Sequence, residues 1–274
     1  MKTWLITGVA GGLGLAVADL ALARGDRVIG TVRQEAQRLA FAARHPDARG
    51  VLLDIADHDV VRQVLEQVQA QWGAIDILLN NAGYAYEIPV EEAALEEVRR
   101  QFDVNVLGTL SVTQSVLPRM RARRTGHVLT VSSVGGLVPL PGLGIYNGSK
   151  FALEGMFAAL AREVAQFGVK VTLIEPGMLR TDWDGRSMLR GEAQLDDYAA
   201  PFAAVRQSRL ARHGKQPGDP HKAAQAILAA VDAQHAPHHL LLGRDALAYA
   251  QFRNEELARE FRLWSTLTKS VSFE

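Results

Sequence analysis

Short apolar runs alternate with amphipathic segments along most of this 274-residue chain, and this alternation constrains the fold more than any other feature. The apolar runs predict strands at residues 3–7, 27–32, 51–53, 75–79, 127–131, 169–174 and 239–242. Helical periodicity covers residues 13–24, 34–44, 57–72, 91–124, 146–167 and 221–234. Strands that are apolar on both faces and alternate with helices indicate a parallel sheet with helices on both faces. The sequence therefore predicts a single doubly wound α/β domain with about seven strands.

Two regions interrupt this alternation. Residues 182–220 are rich in charge, lack a strand pattern and follow the turn at Pro176 and Gly177, so we expect a mobile substrate flap there. Residues 246–274 are amphipathic and predict a C-terminal helical extension, which caps the domain or contacts another subunit. The predicted domain spans residues 1–245 and includes the flap.

Charge balance and residue content exclude several classes of protein. Lys plus Arg and Asp plus Glu number 30 each, so nothing predicts binding to nucleic acid or to an anionic membrane. The chain has no cysteine, which excludes thiolate metal ligands, and His235, His238 and His239 lack acidic residues at supporting spacing, so no metal site is predicted. No apolar run reaches the roughly 18 residues of a membrane span, and the N-terminus lacks a cleavage site. A cytoplasmic protein is expected.

A glycine-rich turn separates the first strand from the first helix, with the sequence Thr7-Gly8-Val9-Ala10-Gly11-Gly12-Leu13-Gly14. Gly8 suits the tight turn, Gly12 lets the backbone approach a pyrophosphate, and Gly14 allows close packing of the helix. The first amides of that helix, including that of Leu13, offer donors and a positive dipole to phosphate. An ordinary glycine-rich turn is the alternative, but its place directly after the first strand favours a dinucleotide site.

Two later strand ends are candidates for contacts with the rest of a dinucleotide. Asp54, followed by Ile55, stands where a carboxylate can accept a hydrogen bond from an adenine amino group, although it could also cap the next helix. After the fourth strand come Asn81, Ala82 and Gly83, which would let the backbone lie against the adenosine ribose or form a simple turn.

The end of the second strand bears on the choice between NAD and NADP. An acidic residue that binds the ribose hydroxyls of NAD usually stands there, but this chain has Val32 and Arg33. A guanidinium offers a planar set of donors to a 2′-phosphate, so the sequence favours NADP, with NAD as the alternative. A solvated arginine neutralised by Glu35 is the other interpretation of Arg33.

Tyr146 and Lys150 stand four residues apart at the start of a predicted helix and therefore share one face. A neighbouring ammonium favours the phenolate, which would lower the tyrosine pKa and make Tyr146 a usable acid or base. This spacing alone is also typical of an exposed surface pair. Ser133 ends the fifth strand and could donate to a substrate carbonyl or cap a turn, and Asn105 is a poor helix former inside a predicted helix, where it could hold a water or be a buried amide.

These motifs together resemble the short-chain dehydrogenase/reductase family over nearly the whole chain. The matches, in chain order, are Thr7-Gly8, Gly12, Gly14, Asp54, Asn80-Asn81-Ala82-Gly83, Asn105, Ser133, Tyr146, Lys150, Pro176-Gly177 and Thr181. Ser133 precedes Tyr146 by the family's usual interval of thirteen residues, which distinguishes it from Ser132. One departure is Gly11, where the family often has a small polar residue. The end of the second strand and the long tail also resemble the 17β-hydroxysteroid dehydrogenase subgroup.

The resemblance implies a Rossmann fold and an oxidoreductase that interconverts a carbonyl and an alcohol with NADP or NAD. It implies that Tyr146 exchanges the proton, Lys150 lowers its pKa and holds the nicotinamide ribose, Ser133 positions the substrate oxygen, and Asn105 supports a proton relay. The residues implied on the nicotinamide side are Pro176, Gly177, Met178 and Thr181. Because long paired helices commonly make such proteins oligomeric, a homodimer or homotetramer is expected.

Other interpretations remain at this point. A catalytically silent nucleotide sensor on the same fold is the main alternative, since a fold does not determine a function. A hydrolase using Ser133 is disfavoured, because Val131 stands where the first glycine of a nucleophile elbow should be. The apolar residues near the site hint at an apolar small-molecule substrate but could equally pack a lid: Leu137, Val138, Leu140, Leu143, Met178, Leu179, Trp183, Met188, Leu189, Tyr198 and Phe202.

Overall fold

A parallel sheet of seven strands forms the centre of the computed structural model, which describes residues 1–273. The nine strands within residues 1–273 are β1 (Thr3–Thr7), β2 (Arg27–Val32), β3 (Arg49–Leu52), β4 (Ile77–Asn80), β5 (Ala85–Glu87), β6 (Gly126–Val131), β7 (Val169–Pro176), β8 (Met188–Arg190) and β9 (His239–Leu242). The central sheet has the order β3-β2-β1-β4-β6-β7-β9, and β5 and β8 form a separate two-stranded sheet. The predicted doubly wound Rossmann architecture is confirmed.

Helices cover both faces of this sheet. They are α1 (Gly12–Ala23), α2 (Glu35–Arg44), α3 (His58–Trp72), α4 (Leu95–Phe102), α5 (Thr109–Arg123), α6 (Gly144–Val164), α7 (Trp183–Arg186), α8 (Asp196–Arg212), α9 (Pro220–Asp232), α10 (Arg244–Leu263) and α11 (Ser265–Lys269). Successive residues of β1 contribute to different cores: Trp4 and Ile6 pack with α1, α2 and α9, whereas Leu5 packs with α3, α5 and α6. This alternation follows from the pleat of a strand, which directs neighbouring side chains to opposite faces.

The strand order reverses direction between β1 and β4. The chain continues from β1 to β2 and β3 on one side and then returns to add β4, β6, β7 and β9 on the other. Loops that leave the carboxyl ends of β1 and β4 therefore diverge and leave a crevice, which is the usual ligand site of a doubly wound sheet.

The long helix predicted over residues 91–124 is interrupted. After α4 the chain forms a π-helical turn at Asp103–Gly108 before α5 begins. A Cβ at Gly108 would lie 2.6 Å from the carbonyl oxygen of Ile55, so the backbone of the turn contacts the segment after β3 directly. Periodicity alone does not reveal an extra residue within a helical turn.

The expectation that residues 182–220 lack a strand is wrong. Within this flap, β8 pairs in parallel with β5, which the sequence pattern also did not predict. Both strands have three residues, which is too short for a recognisable alternation of side chains. Most of the remaining flap is helical, in α7 and α8.

The segment that follows β9 is largely helical, as α10 and α11. Ala246 and Ala250 of α10 are buried, whereas large apolar side chains nearer the C-terminus, including Phe261 and Trp264, are exposed. No helix within residues 1–273 has both the length and the apolar character needed to cross a membrane.

Candidate active site

A cleft of about 560 Å³ opens along the carboxyl edge of the sheet. Its lining includes nearly every residue that the sequence predicts for the cofactor: Gly8, Gly12, Leu13, Arg33, Asp54, Ile55, Asn81, Ala82, Gly83, Tyr146, Lys150, Pro176, Gly177, Met178 and Thr181. Ser133 lines the same cleft, while Gly14 and Asn105 lie behind its wall. The structure thus brings the predicted cofactor and catalytic residues together.

The glycine turn after β1 is tied to the end of β4. Asn81 donates through Nδ2 to the carbonyl oxygens of Thr7 (2.9 Å) and Gly8 (3.0 Å). Gly8 has a φ of +76°, which side chains rarely tolerate. A Cβ at Gly14 would lie 2.4 Å from Asn81 Nδ2 and 2.6 Å from Gly8 O, so only glycine allows α1 to approach so closely. The first turn of α1 consequently points into the cleft.

At the far end of the cleft, the structure distinguishes between the interpretations of Asp54 and Arg33. Asp57, not Asp54, caps α3, since its side chain accepts from the amide of Val60 at 3.2 Å. Asp54 Oδ1 accepts from the amide of Ala56 at 3.0 Å, and the residue lines the cleft.

Arg33 is exposed at this same end and makes no ion pair with any residue in the range 1–273. The carboxylate of Glu35, which the sequence suggested as its neutralising partner, is bound instead to Arg38, whose Nε donates at 2.8 Å. The positive charge of Arg33 is therefore available at the cleft.

Tyr146 and Lys150 are both buried, with 6% and 5% of their surface exposed, so the interpretation as a surface pair is wrong. Lys150 Nζ donates to the carbonyl oxygen of Val131 at 2.8 Å and lies 5.7 Å from the centre of the Tyr146 ring. Ser133 follows β6, and its Oγ accepts from the amide of Gly135 at 3.0 Å, which leaves its hydroxyl proton free to donate. The Trp183 ring of the flap packs 5.4 Å from the Tyr146 ring.

The pKa values at this centre are governed by burial. Burial raises the pKa of Tyr146 to about 12, and the hydrogen bond with Ser133 opposes this shift only in part. Burial also lowers the pKa of Lys150 to about 8, against the charge of Glu154. The Tyr146 pKa thus moves in the direction opposite to the one expected from Lys150, because burial removes the hydration that the phenolate needs.

Asn105 lies in the π-helical turn and is fully buried. Its Oδ1 accepts from the amide of Tyr84 at 3.0 Å, and its Nδ2 donates to the carbonyl oxygen of Tyr84 (2.9 Å) and to Ser149 Oγ (3.0 Å). A Cβ at Gly83 would lie 3.1 Å from Asn105 Oδ1 and 3.7 Å from Lys150 Nζ. Asn105 is thus a buried amide that joins the loop after β4 to α6, and its part in a proton relay stays a prediction.

The apolar side chains predicted near the substrate divide into two groups. Those that line the cleft are Leu140, Leu143, Met178, Leu179 and Trp183. Leu137, Val138, Met188, Leu189, Tyr198 and Phe202 do not line it, and among these Met188 and Phe202 are buried. An apolar wall therefore faces Tyr146, and the other residues hold the flap or lie on its surface.

Several cleft residues had no signal in the sequence. Arg186 of the flap reaches the glycine turn, with Nη1 3.5 Å from Ala10 O and Nη2 2.4 Å from where a Cβ of Gly11 would lie. Arg209 and Arg212 of α8 and Tyr249 of α10 line the cleft as well. Charged residues in a helical flap resemble any solvated face, so only their placement in three dimensions reveals them.

Comparison with known proteins agrees with this geometry. Residues 2–189 match the model of the short chain dehydrogenase family. Oxidoreductase BOA17 of Botryotinia fuckeliana is 37% identical over 97% of this chain and 98% of its own. The 3-ketodihydrosphingosine reductase of Bacteroides thetaiotaomicron is 34% identical over 87% of each chain. The crystal structure of a short-chain dehydrogenase from Streptomyces avermitilis has a TM-score of 0.92 and 35% identity, covering 99% of this chain and 98% of that one.

A doubly wound sheet with a ligand cleft at its carboxyl edge defines a broad class of α/β proteins. Within that class, this chain belongs to the short-chain dehydrogenase family and is an oxidoreductase of that family. The resemblance to the 17β-hydroxysteroid dehydrogenase subgroup stays a prediction.

Proposed function

We propose that this protein uses NADP to reduce a carbonyl compound with an apolar body, with Tyr146 as the proton donor. The observation that carries the proposal is the meeting of three features in one cleft: the glycine turn, an Arg33 with no ion pair within residues 1–273, and the group formed by Ser133 with the buried Tyr146 and Lys150. Each feature has another explanation alone, but a dinucleotide lying from Arg33 to Tyr146 accounts for all three.

The residues present fit a dinucleotide. The close approach of α1 at Gly14 leaves amides at the helix start facing the cleft, where they can bind pyrophosphate. Asp54 and the segment 81–83 would hold the adenosine, and Pro176, Gly177, Met178 and Thr181 would contact the nicotinamide side. Arg33, free of a carboxylate partner among residues 1–273, would bind the 2′-phosphate of NADP. When bound, the nicotinamide supplies or accepts hydride.

Three side chains then handle the substrate oxygen. Ser133 donates a hydrogen bond through its hydroxyl to the carbonyl oxygen and orients it toward Tyr146. Tyr146 gives its phenolic proton to that oxygen as negative charge develops there. Lys150, held by Val131 O, is predominantly cationic at neutral pH with a pKa of about 8 and stabilises the phenolate that remains.

The residues around Tyr146 also bear on the proposed carbonyl reduction and on the class of substrate. Burial raises the pKa of Tyr146 to about 12, so at neutral pH it is present as the phenol, the form that donates a proton in carbonyl reduction. Trp183, Leu140 and Leu143 line the cleft beside Tyr146 and suit an apolar substrate body. The similarity to a 3-ketodihydrosphingosine reductase agrees with a ketone of this kind. A homodimer or homotetramer remains part of the proposal.

Calorimetric titration with NADPH and NADH tests the cofactor assignment. NADPH is expected to bind more tightly, and Arg33→Ala is expected to weaken NADPH binding by about 10- to 100-fold while leaving NADH binding unchanged, because charged hydrogen bonds contribute about 1.5–3 kcal/mol. Arg38→Ala is the matched control, since Arg38 pairs with Glu35 outside the cleft. Tighter binding of NADH would contradict the role of Arg33, and binding of neither cofactor would contradict the function.

A further inference from the structure

A second group of ionisable side chains lies outside the proposed catalytic machinery. It consists of Glu154 on α6, Glu175 on β7 and His239 on β9, and we refer to it as the carboxylate–histidine cluster. The register of β7 and β9 pairs Leu173 with His239, so Glu175 and His239 project from the same face of the sheet. Helix α6 packs on that face and carries Glu154 one turn beyond Lys150.

One ligand atom from each of the three side chains lies within 4.8 Å of the others. His239 Nδ1 is 2.5 Å from Glu175 Oε1 and 3.7 Å from Glu154 Oε2. The His239 side chain is 54% exposed, which leaves a path from solvent to the two carboxylates behind it. The cluster therefore has two buried carboxylates that solvent can reach past the exposed His239 ring.

Apart from Glu175 Oε1, which contacts His239 Nδ1, the carboxylate oxygens of this cluster have no hydrogen-bond partner within residues 1–273. Glu175 is fully buried, and within residues 1–273 its Oε2 receives no hydrogen bond. Both oxygens of Glu154, which is 9% exposed, are in the same condition. Buried polar atoms are nearly always paired, because leaving one unpaired costs roughly 1–3 kcal/mol. Within residues 1–273, three buried carboxylate oxygens of this cluster are unpaired, and a cation bound by Glu154 and Glu175 would satisfy at least one oxygen of each.

We propose that Glu154, Glu175 and His239 bind one divalent transition-metal ion, such as Zn²⁺ or Mn²⁺. Two carboxylate oxygens and one imidazole nitrogen form a mixed ligand set that suits these ions better than Ca²⁺ or Mg²⁺, which prefer oxygen alone. Ligands at about 2.0–2.2 Å from an ion lie within about 4.4 Å of one another, a limit that His239 Nδ1 and Glu154 Oε2 already meet at 3.7 Å. His239 Nδ1 and Glu175 Oε1, now in contact at 2.5 Å, would move apart to admit the ion. His239 would bind the ion in its neutral form through Nδ1, the atom that already faces the carboxylates.

The site would join three elements close to the catalytic centre. The ion would connect β9, the edge strand of the sheet, to β7 and α6, and it would neutralise the charge next to Lys150 without touching the substrate. The sequence pattern around His235, His238 and His239 predicted no metal because the acidic ligands come from residues more than sixty positions earlier in the chain.

Calorimetric titration of EDTA-treated and desalted protein with ZnCl₂, and separately with MnCl₂, tests the proposal. One ion per chain is expected to bind, and Glu175→Gln or His239→Asn is expected to weaken binding by about 100-fold or more, since even outer-sphere changes cost 10- to 100-fold. His238→Asn is the matched control, because its exposed ring adjoins the cluster without belonging to it and should leave the affinity unchanged.

A second measurement keeps the result independent of folding defects in the Glu175 variant. Co²⁺ bound by an imidazole and two carboxylates gives visible d–d absorption, and His239→Asn, which changes a half-exposed ring, is expected to shift and weaken it. Absence of binding by Zn²⁺, Mn²⁺ and Co²⁺, or binding that both cluster variants preserve, would overturn the proposal. In that event the two carboxyl groups share a proton.

Discussion

The sheet side and the flap side of the cleft are held in place by different interactions. On the sheet side, Asn81 and Lys150 bond to backbone carbonyls of neighbouring strands. On the flap side, the guanidinium groups of Arg190, Arg206 and Arg209 converge on Glu87, whose side chain is fully buried. Backbone bonding between parallel strands leaves little freedom, whereas one substitution can break an ion cluster. The residues proposed for the chemistry therefore lie on the rigid sheet side. The apolar side chains proposed to contact the substrate lie partly on the flap, which can be loosened without unfolding the sheet.

Replacement of Tyr146 tests whether the chemistry belongs to the sheet side. Tyr146→Phe keeps the packing against Trp183 but removes the proton donor, so kcat on any substrate found is expected to fall by about 10²- to 10⁴-fold. Cofactor affinity should not change. Tyr198→Phe is the matched control on the flap, where the hydroxyl donates to Glu91 at the surface, and it should retain turnover. Near-normal turnover of Tyr146→Phe would show that the mechanism is wrong.

Replacement of Glu87 tests whether the flap can loosen while the sheet stays folded. Glu87→Gln leaves three arginines without their buried carboxylate, which is expected to cost about 3–5 kcal/mol. Because the loss is local, limited proteolysis should cut residues 182–220 faster, while thermal unfolding of the sheet changes less. Glu256→Gln, which removes an exposed partner of Arg253, is the control. Equal protection of the flap in both variants would contradict the comparison.

Acid should affect the sheet more than the flap because of His127 at the start of β6. Burial, together with the charges of Lys170 and Lys2, lowers its pKa from 6.5 to about 4. Between pH 6.5 and 4 the His127 side chain binds a proton in the unfolded chain but not in the folded chain. The free energy of unfolding that the protein has above pH 6.5 therefore falls as the pH drops toward 4. The loss is expected to reach about 3 kcal/mol, at 1.36 kcal/mol per pKa unit.

Denaturant unfolding of the parent and of His127→Gln between pH 7 and pH 4 measures this effect. The variant should lose less stability over that range, although its hydrogen bond to Thr172 changes. His221→Gln, on an exposed ring, is the control and should follow the parent. Parallel pH profiles for the parent and His127→Gln would show that another group titrates.

Arg186 is the point at which the flap reaches the sheet side. Arg186→Ala is expected to weaken cofactor binding about tenfold, or about 1.4 kcal/mol, because its guanidinium lies over the glycine turn where phosphate would be bound. Arg212→Ala, in the same flap, should alter substrate KM rather than cofactor affinity. Fluorescence titration with NADPH compares the two. Equal NADPH affinities of the parent and Arg186→Ala would show that the cofactor is bound by the sheet side alone.

Most of the sheet and of the sheet-side site could be predicted from the sequence. Strands such as Thr3–Thr7 are encoded by their own apolar residues, and Gly8, Ser133 and Lys150 stand at fixed distances from such strands. The π-helical turn around Asn105 could not be predicted, because it depends on the contact of Gly108 with Ile55. The rise of the Tyr146 pKa could not be predicted either, since burial is a property of the folded molecule.

The sequence by itself determined the doubly wound fold and placed Tyr146, Lys150 and the glycine turn at one edge of the sheet, because hydrophobic period and strand direction are local properties that propagate through a parallel sheet. Tertiary structure alone decided that Arg186 reaches the glycine turn, that Glu35 pairs with Arg38 rather than with Arg33, and that Glu154, Glu175 and His239 meet. These contacts join distant segments through side chains, and the packing of the whole chain determines which side chains come within reach of one another.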